Sequence, residues 1–334
     1  MWRGVFAVVY TYNRKELVAQ CLASILDQRV GPEHIVLVDN GCTDGTRDYL
    51  AATGVLGDPR IDYVRLGHNT GAAGGLRAGI SRAYARGCDW VWIMDDDVVC
   101  RPDTLQRLKE AFETNFDDPA KVGFLVSRLV GPQGLANNVP QVDDRRDVVS
   151  QCADWSEFLD RGLVKLRIAT LTSILLPRST IAEFGAPLSD FFIWGEDTDY
   201  TLRITQRLPG FLVGGSLAVH LRGTPGDLNI LNEAEPRRIR NFYYLYRNTA
   251  YLRRAYWPRH GFYLFLGKAA SQFISALLKH EHRLLRAWTI LSGTCAGLFF
   301  RPRNEPLGFG EPVPLSPAKA GEEVAVGPNF APLH

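Results

Sequence analysis

Residues 90–98 read Trp-Val-Trp-Ile-Met-Asp-Asp-Asp-Val. Three adjacent carboxylates after an apolar run repel one another. A hard divalent cation relieves that repulsion, and Mg²⁺ and Mn²⁺ take oxygen ligands and bridge to phosphate oxygens. In an extended segment alternate side chains share a face. Asp95 and Asp97 then go to a metal ion and a nucleotide, and Asp96 to ribose or sugar contacts. A solvated acidic turn accounts for the same triplet without a ligand. Residues 192–200, Phe-Ile-Trp-Gly-Glu-Asp-Thr-Asp-Tyr, hold a second acidic cluster. Glu196 and Asp197 are favoured by the positive end of a helix beginning there, where a carboxylate can be held as a general base. Ordinary acidic N-capping is the plainer account. Trp194 offers a flat face either to a sugar ring or to the core.

The stretch Asn69-Thr-Gly-Ala-Ala-Gly-Gly-Leu-Arg-Ala-Gly79 suggests a third set of contacts. Gly-rich turns before a helix let backbone N–H groups approach a diphosphate. Gly74 and Gly75 are the candidates, with Arg77 adding charge against phosphate. Close packing of a helix on a sheet through small residues is the alternative. The pattern G-x-G-x-x-G is absent and the stretch follows the third apparent strand, so it is a poor dinucleotide fingerprint. His220 ends a later apolar run. A lone His there is usually structural and gains meaning only in combination with the acids.

Such residues need a scaffold that gathers strand ends. Segments 5–11, 34–39, 61–66 and 90–94 read as strands, alternating with helical patterns over 14–28, 43–52 and 72–85. That alternation predicts an α/β fold, a mostly parallel sheet with helices on both faces. Ligands of such sheets lie beyond the carboxyl ends of the strands. Thr11, Asn13, Arg14, Asp39, Asn40 and the Asp triplet all fall at those ends. Further on, the sequence predicts a helix opened by Pro102 and running to about Thr114. Strands follow over 121–130, 170–177 and 211–221, with a polar surface excursion over 131–165. From Pro236 the chain turns aromatic and basic, with long apolar helical stretches at 261–278 and 284–300 broken by charge. We expect a catalytic domain over 1–235, with a nucleotide-binding half (1–100) and an acceptor half (101–235). A basic aromatic helical region occupies 236–303, and a Pro-, Gly- and Ala-rich flexible tail 304–334.

The chain has 334 residues, 46% hydrophobic and 22% charged. That is globular composition, which excludes disorder throughout. Six Cys residues show no C-x-x-C spacing, against a zinc ribbon or disulfide framework and in favour of buried thiols in a reducing cytosol. The apolar run at the N-terminus is too short for a signal-peptide core. No run of about 20 uncharged apolar residues occurs, so a spanning helix is not the first choice. The net charge of +2 hides an asymmetry. Residues 1–230 carry 24 basic and 29 acidic residues, a net of −5, whereas 231–303 carry 13 and 3, a net of +10. An anionic partner should dock on that block. Apolar stretches broken by charge suggest helices lying in a membrane interface, and a helical pair packed on the catalytic domain fits as well.

Taken in order, Thr11-Tyr-Asn-Arg14, Val38-Asp-Asn40 with Thr43-Asp-Gly-Thr46, Asn69-x-Gly-x-x-Gly-Gly75, Asp95-Asp-Asp97, Glu196-Asp197 and His220 form an array that resembles glycosyltransferase family 2. The resemblance covers about residues 4–255. It implies the GT-A fold, a Rossmann-like arrangement, and an inverting, metal-dependent transfer. Gly71-Ala-Ala-Gly-Gly, Asp89-Trp-Val-Trp, the Asp triplet and Tyr244-x-Tyr-Arg-Asn248 look most like bacterial galactofuranosyltransferases of the initiating type and rhamnosyltransferases of cell-envelope glycan assembly. The roles implied are Thr11 and Asn13 lining a base pocket and Asp39 binding the nucleobase imide. Arg14, Asn40, Gly74, Gly75, Arg77, Asp95 and Asp96 would meet the donor, and Trp194 and Glu196 the acceptor. Asp95, Asp97 and His220 would hold Mn²⁺ or Mg²⁺, with Asp197 as general base. UDP-galactofuranose is the expected donor, dTDP-rhamnose the alternative. The acceptor would be a lipid-linked diphosphate or envelope glycan at the inner face of the cytoplasmic membrane, where the enzyme would sit peripherally.

Other classes fit less of the chain. A dehydrogenase lacks its glycines after the first strand, and a nucleotidyltransferase should carry a Gly-rich loop with Lys or Arg there. A non-catalytic sugar-binding module needs no Asp triplet. Apolar interruptions in 236–303 argue against a nucleic-acid groove.

Overall fold

The computed structural model describes residues 4–221, 228–279, 281–304 and 307, and most of the expected flexible tail lies outside them. The first half alternates strand and helix: β1 (Val5–Thr11), α1 (Lys15–Leu26), β2 (His34–Asp39), α2 (Thr46–Ala52), β3 (Ile61–Arg65), α3 (Gly71–Ala85) and β4 (Trp90–Asp95). β5 (Val98–Cys100) returns directly after the Asp triplet. There follow α4 (Thr104–Asn115), β6 (Phe124–Val130), β7 (Gln141–Val142), β8 (Leu163–Ile168), β9 (Ile174–Pro177), α5 (Arg178–Phe184), α6 (Glu196–Thr205) and β10 (Gly210–His220). The chain ends in α7 (Pro236–Tyr256), α8 (Arg259–Lys279) and α9 (Arg283–Phe299).

Among the described residues, ten strands join one sheet in the order β3-β2-β1-β4-β9-β6-β10-β8-β7, with β5 paired to β10. The parallel arrangement expected from the sequence holds across β3-β2-β1-β4 and for β6 beside β10. β9, β8, β7 and β5 run antiparallel. The near-continuous apolar runs of β1, β2 and β4 follow from burial on both faces. Along β1, Val5, Ala7 and Val9 pack with Leu22 of α1 and Leu108 of α4. Phe6 and Val8 face Leu76 and Ile80 of α3 on the other side, as the period of two requires. Strand order reverses at β1, with β2 on one side and β4 on the other. The resulting crevice, where open α/β sheets bind ligands, is flanked by the ends of β1 and β4, where Tyr10 pairs with Asp95.

Several element boundaries differ from expectation for local reasons. Pro102 lies outside its helix, which starts at Thr104. The helix expected from residue 43 starts at Thr46, because the Asp44 carboxylate accepts from the Thr46 N–H and hydroxyl. The strand expected over 121–130 begins at Phe124, after a short 3₁₀ turn at Pro119–Lys121. The one expected over 170–177 contracts to Ile174–Pro177. The polar excursion is largely exposed, Val148 and Val149 at 86% and 92%, and yields to β8 at Leu163. Cys21, Cys42, Cys88 and Cys100 are buried thiols, whereas Cys152 and Cys295 are exposed.

The three C-terminal helices form a unit around α7. Phe242 and Tyr246 of α7 pack with Ile290 of α9 and Ala269 of α8. Leu252 of α7 packs with Ala73, Leu188 and Phe191 of the α/β unit. Over Arg259–Leu278, α8 is long and apolar enough to cross a membrane by length and composition, with mean hydropathy 1.2 and 17% of that window buried. α9 carries a second apolar stripe away from α7: Leu284, Trp288, Leu291 and Leu298 are exposed.

Candidate active site

The Asp triplet is not extended. Asp95 closes β4, and Asp96 and Asp97 form the turn into β5. The antiparallel pairing of β5 with β10 sets His220 opposite Val98, and the Leu221 N–H donates to the Asp97 carbonyl at 2.8 Å. Through that ladder a residue 123 positions away reaches the acidic turn, with His220 Nε2 3.0 Å from Asp97 Oδ1. One ligand atom each from Asp95, Asp97 and His220 lie within 4.8 Å of one another. Two carboxylates and an imidazole at that separation suit a hard divalent cation such as Mn²⁺ or Mg²⁺.

Sequence reasoning missed the groups that hold these ligands. Asp95 accepts from the Tyr10 hydroxyl at 3.0 Å and from the Thr172 hydroxyl at 2.7 Å, one on each oxygen. Such outer hydrogen bonds orient ligating carboxylates. Burial and the neighbouring Asp97 raise the Asp95 pKa. His220 Nδ1 faces Asn137 Oδ1 at 3.4 Å. Burial alone would lower the His220 pKa, but the hydrogen bond and charge of Asp97 outweigh it, and the net direction is up. Burial likewise opposes ionisation of Asp97, yet His220 and Arg14 hold its pKa below the ordinary value.

Asp96 lies in the turn, so the alternation expected of an extended segment does not apply to it. It is buried and bound to protein groups, accepting from the Thr11 hydroxyl at 2.7 Å and Arg14 Nη1 at 2.9 Å. Burial pushes its pKa to about 6 against the pull of Arg14 and Thr11. Arg14 also reaches Asp97 at 3.2 Å, so it braces the acidic turn from beneath. Thr11, fully buried and engaged by Asp96, is part of this bracing.

Asn13 and Thr43 meet at the surface, where the Thr43 N–H donates to Asn13 Oδ1 at 2.8 Å. Asp39 is buried and accepts from the Cys42 N–H at 2.7 Å and from the Tyr63 hydroxyl. Asn40 is a scaffold residue. Its amide donates to the Gly71 carbonyl and accepts from the Thr70 N–H and hydroxyl, each at 2.9 Å. Gly74 and Gly75, expected to cradle a diphosphate, are packed against protein. Both are buried inside α3, and a Cβ would meet Thr70 Oγ1 at 2.4 Å from Gly74 and Tyr10 Cβ at 3.2 Å from Gly75. They are small so that α3 can lie against β1 and its own capping turn. Arg77 is half-buried on the same helix.

On the other wall, Glu196 and Asp197 open α6. Asp197 Oδ1 accepts from the Thr198 N–H at 2.6 Å, whereas Glu196 Oε2 is buried without a hydrogen-bond partner. Burial raises both pKa values, with Asp197 adding to the rise at Glu196 and Asp95 adding at both. The two carboxyls interact closely enough to titrate as a pair, and burial favours the neutral form of both. The turn before them is strained: Phe192, Trp194 and Gly195 have φ of 63°, 61° and 108°, and a non-glycine residue so held costs about 1–3 kcal/mol. Trp194 packs on Phe242 of α7, with ring centroids 5.1 Å apart. Asn248 of α7 donates through one amide nitrogen to the carbonyls of Phe191, Ile193 and Trp194 at 3.0, 3.0 and 2.7 Å. Arg247 reaches the Asp190 and Phe191 carbonyls. The motif Tyr244-x-Tyr-Arg-Asn248 was the signal in the sequence, without a role to attach to it.

Residues 6–133 match the family description "Glycosyl transferase family 2". Galactofuranosyltransferase GlfT1 of Mycobacterium tuberculosis is 30% identical over 219 residues, covering 62% of this chain and 66% of that protein, just under two thirds of its length. The GlfT1 of Mycolicibacterium smegmatis is 29% identical over 259 residues, covering 74% of this chain and 82% of that protein. Among solved structures, S. aureus TarS 1-349 in complex with UDP-GlcNAc aligns with a TM-score of 0.53 at 15% identity, over 88% of this chain and 81% of that one. That likeness speaks for the fold, the GT-A arrangement. With the Asp triplet closing β4 inside the matched stretch, the chain carries, in residues 6–133, a domain of glycosyltransferase family 2.

Proposed function

We propose that the protein is an inverting glycosyltransferase that moves galactofuranose from UDP-galactofuranose to a lipid-linked or cell-envelope glycan acceptor. One observation carries the reading: the Asp95, Asp97 and His220 ligand set and the Glu196–Asp197 pair converge at the switch point of the sheet. Asp95, Asp97 and His220 would hold Mn²⁺ or Mg²⁺, which when bound supplies positive charge against the departing diphosphate. The acceptor hydroxyl attacks the anomeric carbon from the face opposite the diphosphate. Asp197 takes the hydroxyl proton as the new C–O bond forms, and the electron pair of the broken bond leaves on the diphosphate oxygen. A single displacement inverts the anomeric centre. General-base help of this kind contributes about 10²–10⁴-fold. Galactofuranose as the sugar rests on the names of the relatives.

The exposed stripes of α8 and α9 and the surplus of basic residues over 231–303 support peripheral binding at the inner face of the cytoplasmic membrane. Each Lys or Arg near an anionic surface contributes about 1 kcal/mol. The test is a donor panel of UDP-galactofuranose, dTDP-rhamnose and UDP-GlcNAc with an envelope lipid extract. We expect transfer from the first, loss on chelation, and a fall of at least about 100-fold in Asp197→Asn. Transfer unaffected by chelation, or an Asp197→Asn variant as fast as the parent, sinks the mechanism. Transfer from another donor sinks the sugar assignment alone. Failure to float with anionic liposomes at physiological salt sinks the membrane placement.

A further inference from the structure

We propose that Asn248, with Arg247 behind it, is the positioning residue for Asp197: it holds the strained turn 191–195 from which α6 and its general base start. This rests on the glycosyltransferase reading and names what that reading leaves open, the part of the C-terminal helices in the chemistry. Asn248 is 1% exposed, so its amide cannot turn to water. Its Nδ2 meets three carbonyls of one turn, those of Phe191, Ile193 and Trp194. An amide has two N–H groups, so the three acceptors share them. The orientation of the amide is fixed from the other end, where Arg247 Nε donates to Asn248 Oδ1 at 3.0 Å. Arg247 Nη2 continues the row to the Asp190 carbonyl at 2.5 Å and the Phe191 carbonyl at 3.2 Å.

Between those carbonyls the backbone passes through Phe192, Trp194 and Gly195 at positive φ, a path that relaxes unless its neighbours over-determine it. The Phe192 ring stacks on Tyr244 of α7 at 4.6 Å. From the opposite side the Phe192 carbonyl accepts from the Ala73 N–H at 3.1 Å. The turn is gripped between α7 and the start of α3, and Asp197 lies two residues beyond it. A rotation of the turn therefore carries Asp197 away from the crevice while Asp95, Asp97 and His220, on β4, the turn after β4 and β10 respectively, stay in place.

The variant is Asn248→Asp, which keeps the shape and removes both amide donors. We expect kcat for sugar transfer to fall about 10- to 100-fold, while binding of UDP with Mn²⁺, measured by calorimetry, stays within about twofold. A residue that only supported the fold would weaken both together. The inference is overturned if kcat stays within about twofold, or if UDP affinity falls by the same factor as kcat. Should Asn248→Asp not fold, Arg247→Lys loses the fork but keeps the cation. It should lower kcat about 3- to 10-fold with the same split, and an unchanged kcat there overturns the inference equally. Absence of transfer by the parent enzyme would instead count against the glycosyltransferase reading. Amide hydrogen exchange over 195–199 then decides the matter: faster exchange in the variant upholds the grip, and unchanged exchange refutes it.

Discussion

Gly71 is the position where one added methyl should disturb fold and chemistry together. It begins α3 at a φ of +73°, and a Cβ built there would lie 2.1 Å from the Phe192 carbonyl oxygen and 2.6 Å from its carbon. Cβ contacts under 3.0 Å are essentially never seen, so backbone must move by about 0.9 Å (3.0 − 2.1), with no flexible side-chain tip to absorb it. A left-handed backbone costs an L-residue about 1–2 kcal/mol, and overpacking about 1–3 kcal/mol. The sum, about 2–5 kcal/mol, is a large share of a total of about 5–15 kcal/mol. At about 1–2 °C per kcal/mol for a chain of this length, Gly71→Ala should melt about 2–10 °C below the parent. Because the element displaced is the turn before Asp197, a shift approaching 1 Å should also cost about 100-fold in turnover. Gly54→Ala is the control: φ is +77° with nothing within 4 Å of the added carbon, so it meets the backbone term alone. Differential scanning calorimetry and the transfer assay are run on both. If Gly71→Ala loses no more stability than Gly54→Ala and keeps full turnover, the contact between α3 and the turn does not matter as argued.

Three further outcomes follow from the site. Tyr10→Phe removes the phenol that orients Asp95 and should weaken Mn²⁺ binding about 10- to 100-fold by calorimetry; unchanged affinity means the hydrogen bond is idle. A metal takes neutral imidazole, so Mn²⁺ affinity should fall as pH drops through the His220 pKa, which lies above the ordinary 6.5. Without metal the sign reverses. The pair formed by protonated His220 and Asp97 stabilises fully below the unfolded pKa and is lost as pH rises through the folded one, so a His220→Gln variant should melt closer to the parent at pH 8 than at pH 6. Gly79→Ala puts a carbon 2.4 Å from Val8 Cγ1 and should cost about 1–3 kcal/mol in chemical denaturation, with UDP affinity kept wherever the protein is folded.

What the sequence made legible follows from which interactions are local. β1 to β4 and their helices announce themselves because a strand buried on both faces must be apolar along its length, and each helix between must present a stripe. The helix start misplaced at 43 depends on a single side chain: the Asp44 carboxylate that accepts from the Thr46 N–H is invisible to periodicity. β5 is three residues long, too short to show a period, yet it carries His220 to Asp97. The sequence could pair those residues only by resemblance, because the ladder that joins them spans 123 positions. The glycines of α3 show the opposite failure. Small residues near a helix start suit a phosphate and suit close packing equally, and only the position of Thr70 and Tyr10 decides for packing.

The same reasoning explains why the sequence presents 236–303 as a membrane- or acceptor-associated region. Their composition, basic and aromatic with apolar stretches, speaks of what lies outside them, and an exposed stripe on α9 agrees with that. Nothing in composition reports a single buried amide. Yet Asn248 and Arg247 of α7 donate to four of the five carbonyls over 190–194, all but that of Phe192, which faces Ala73. Within the α/β unit the Ile193 N–H meets the Phe191 carbonyl at 2.7 Å and the Ala73 N–H meets that of Phe192, so among the described residues it is α7 that supplies the partners of the Asp190, Ile193 and Trp194 carbonyls. On this account 236–303 cannot be deleted to leave a smaller working enzyme, even where the truncated chain still binds UDP. A truncated protein that kept transfer would show that the turn holds Asp197 by itself.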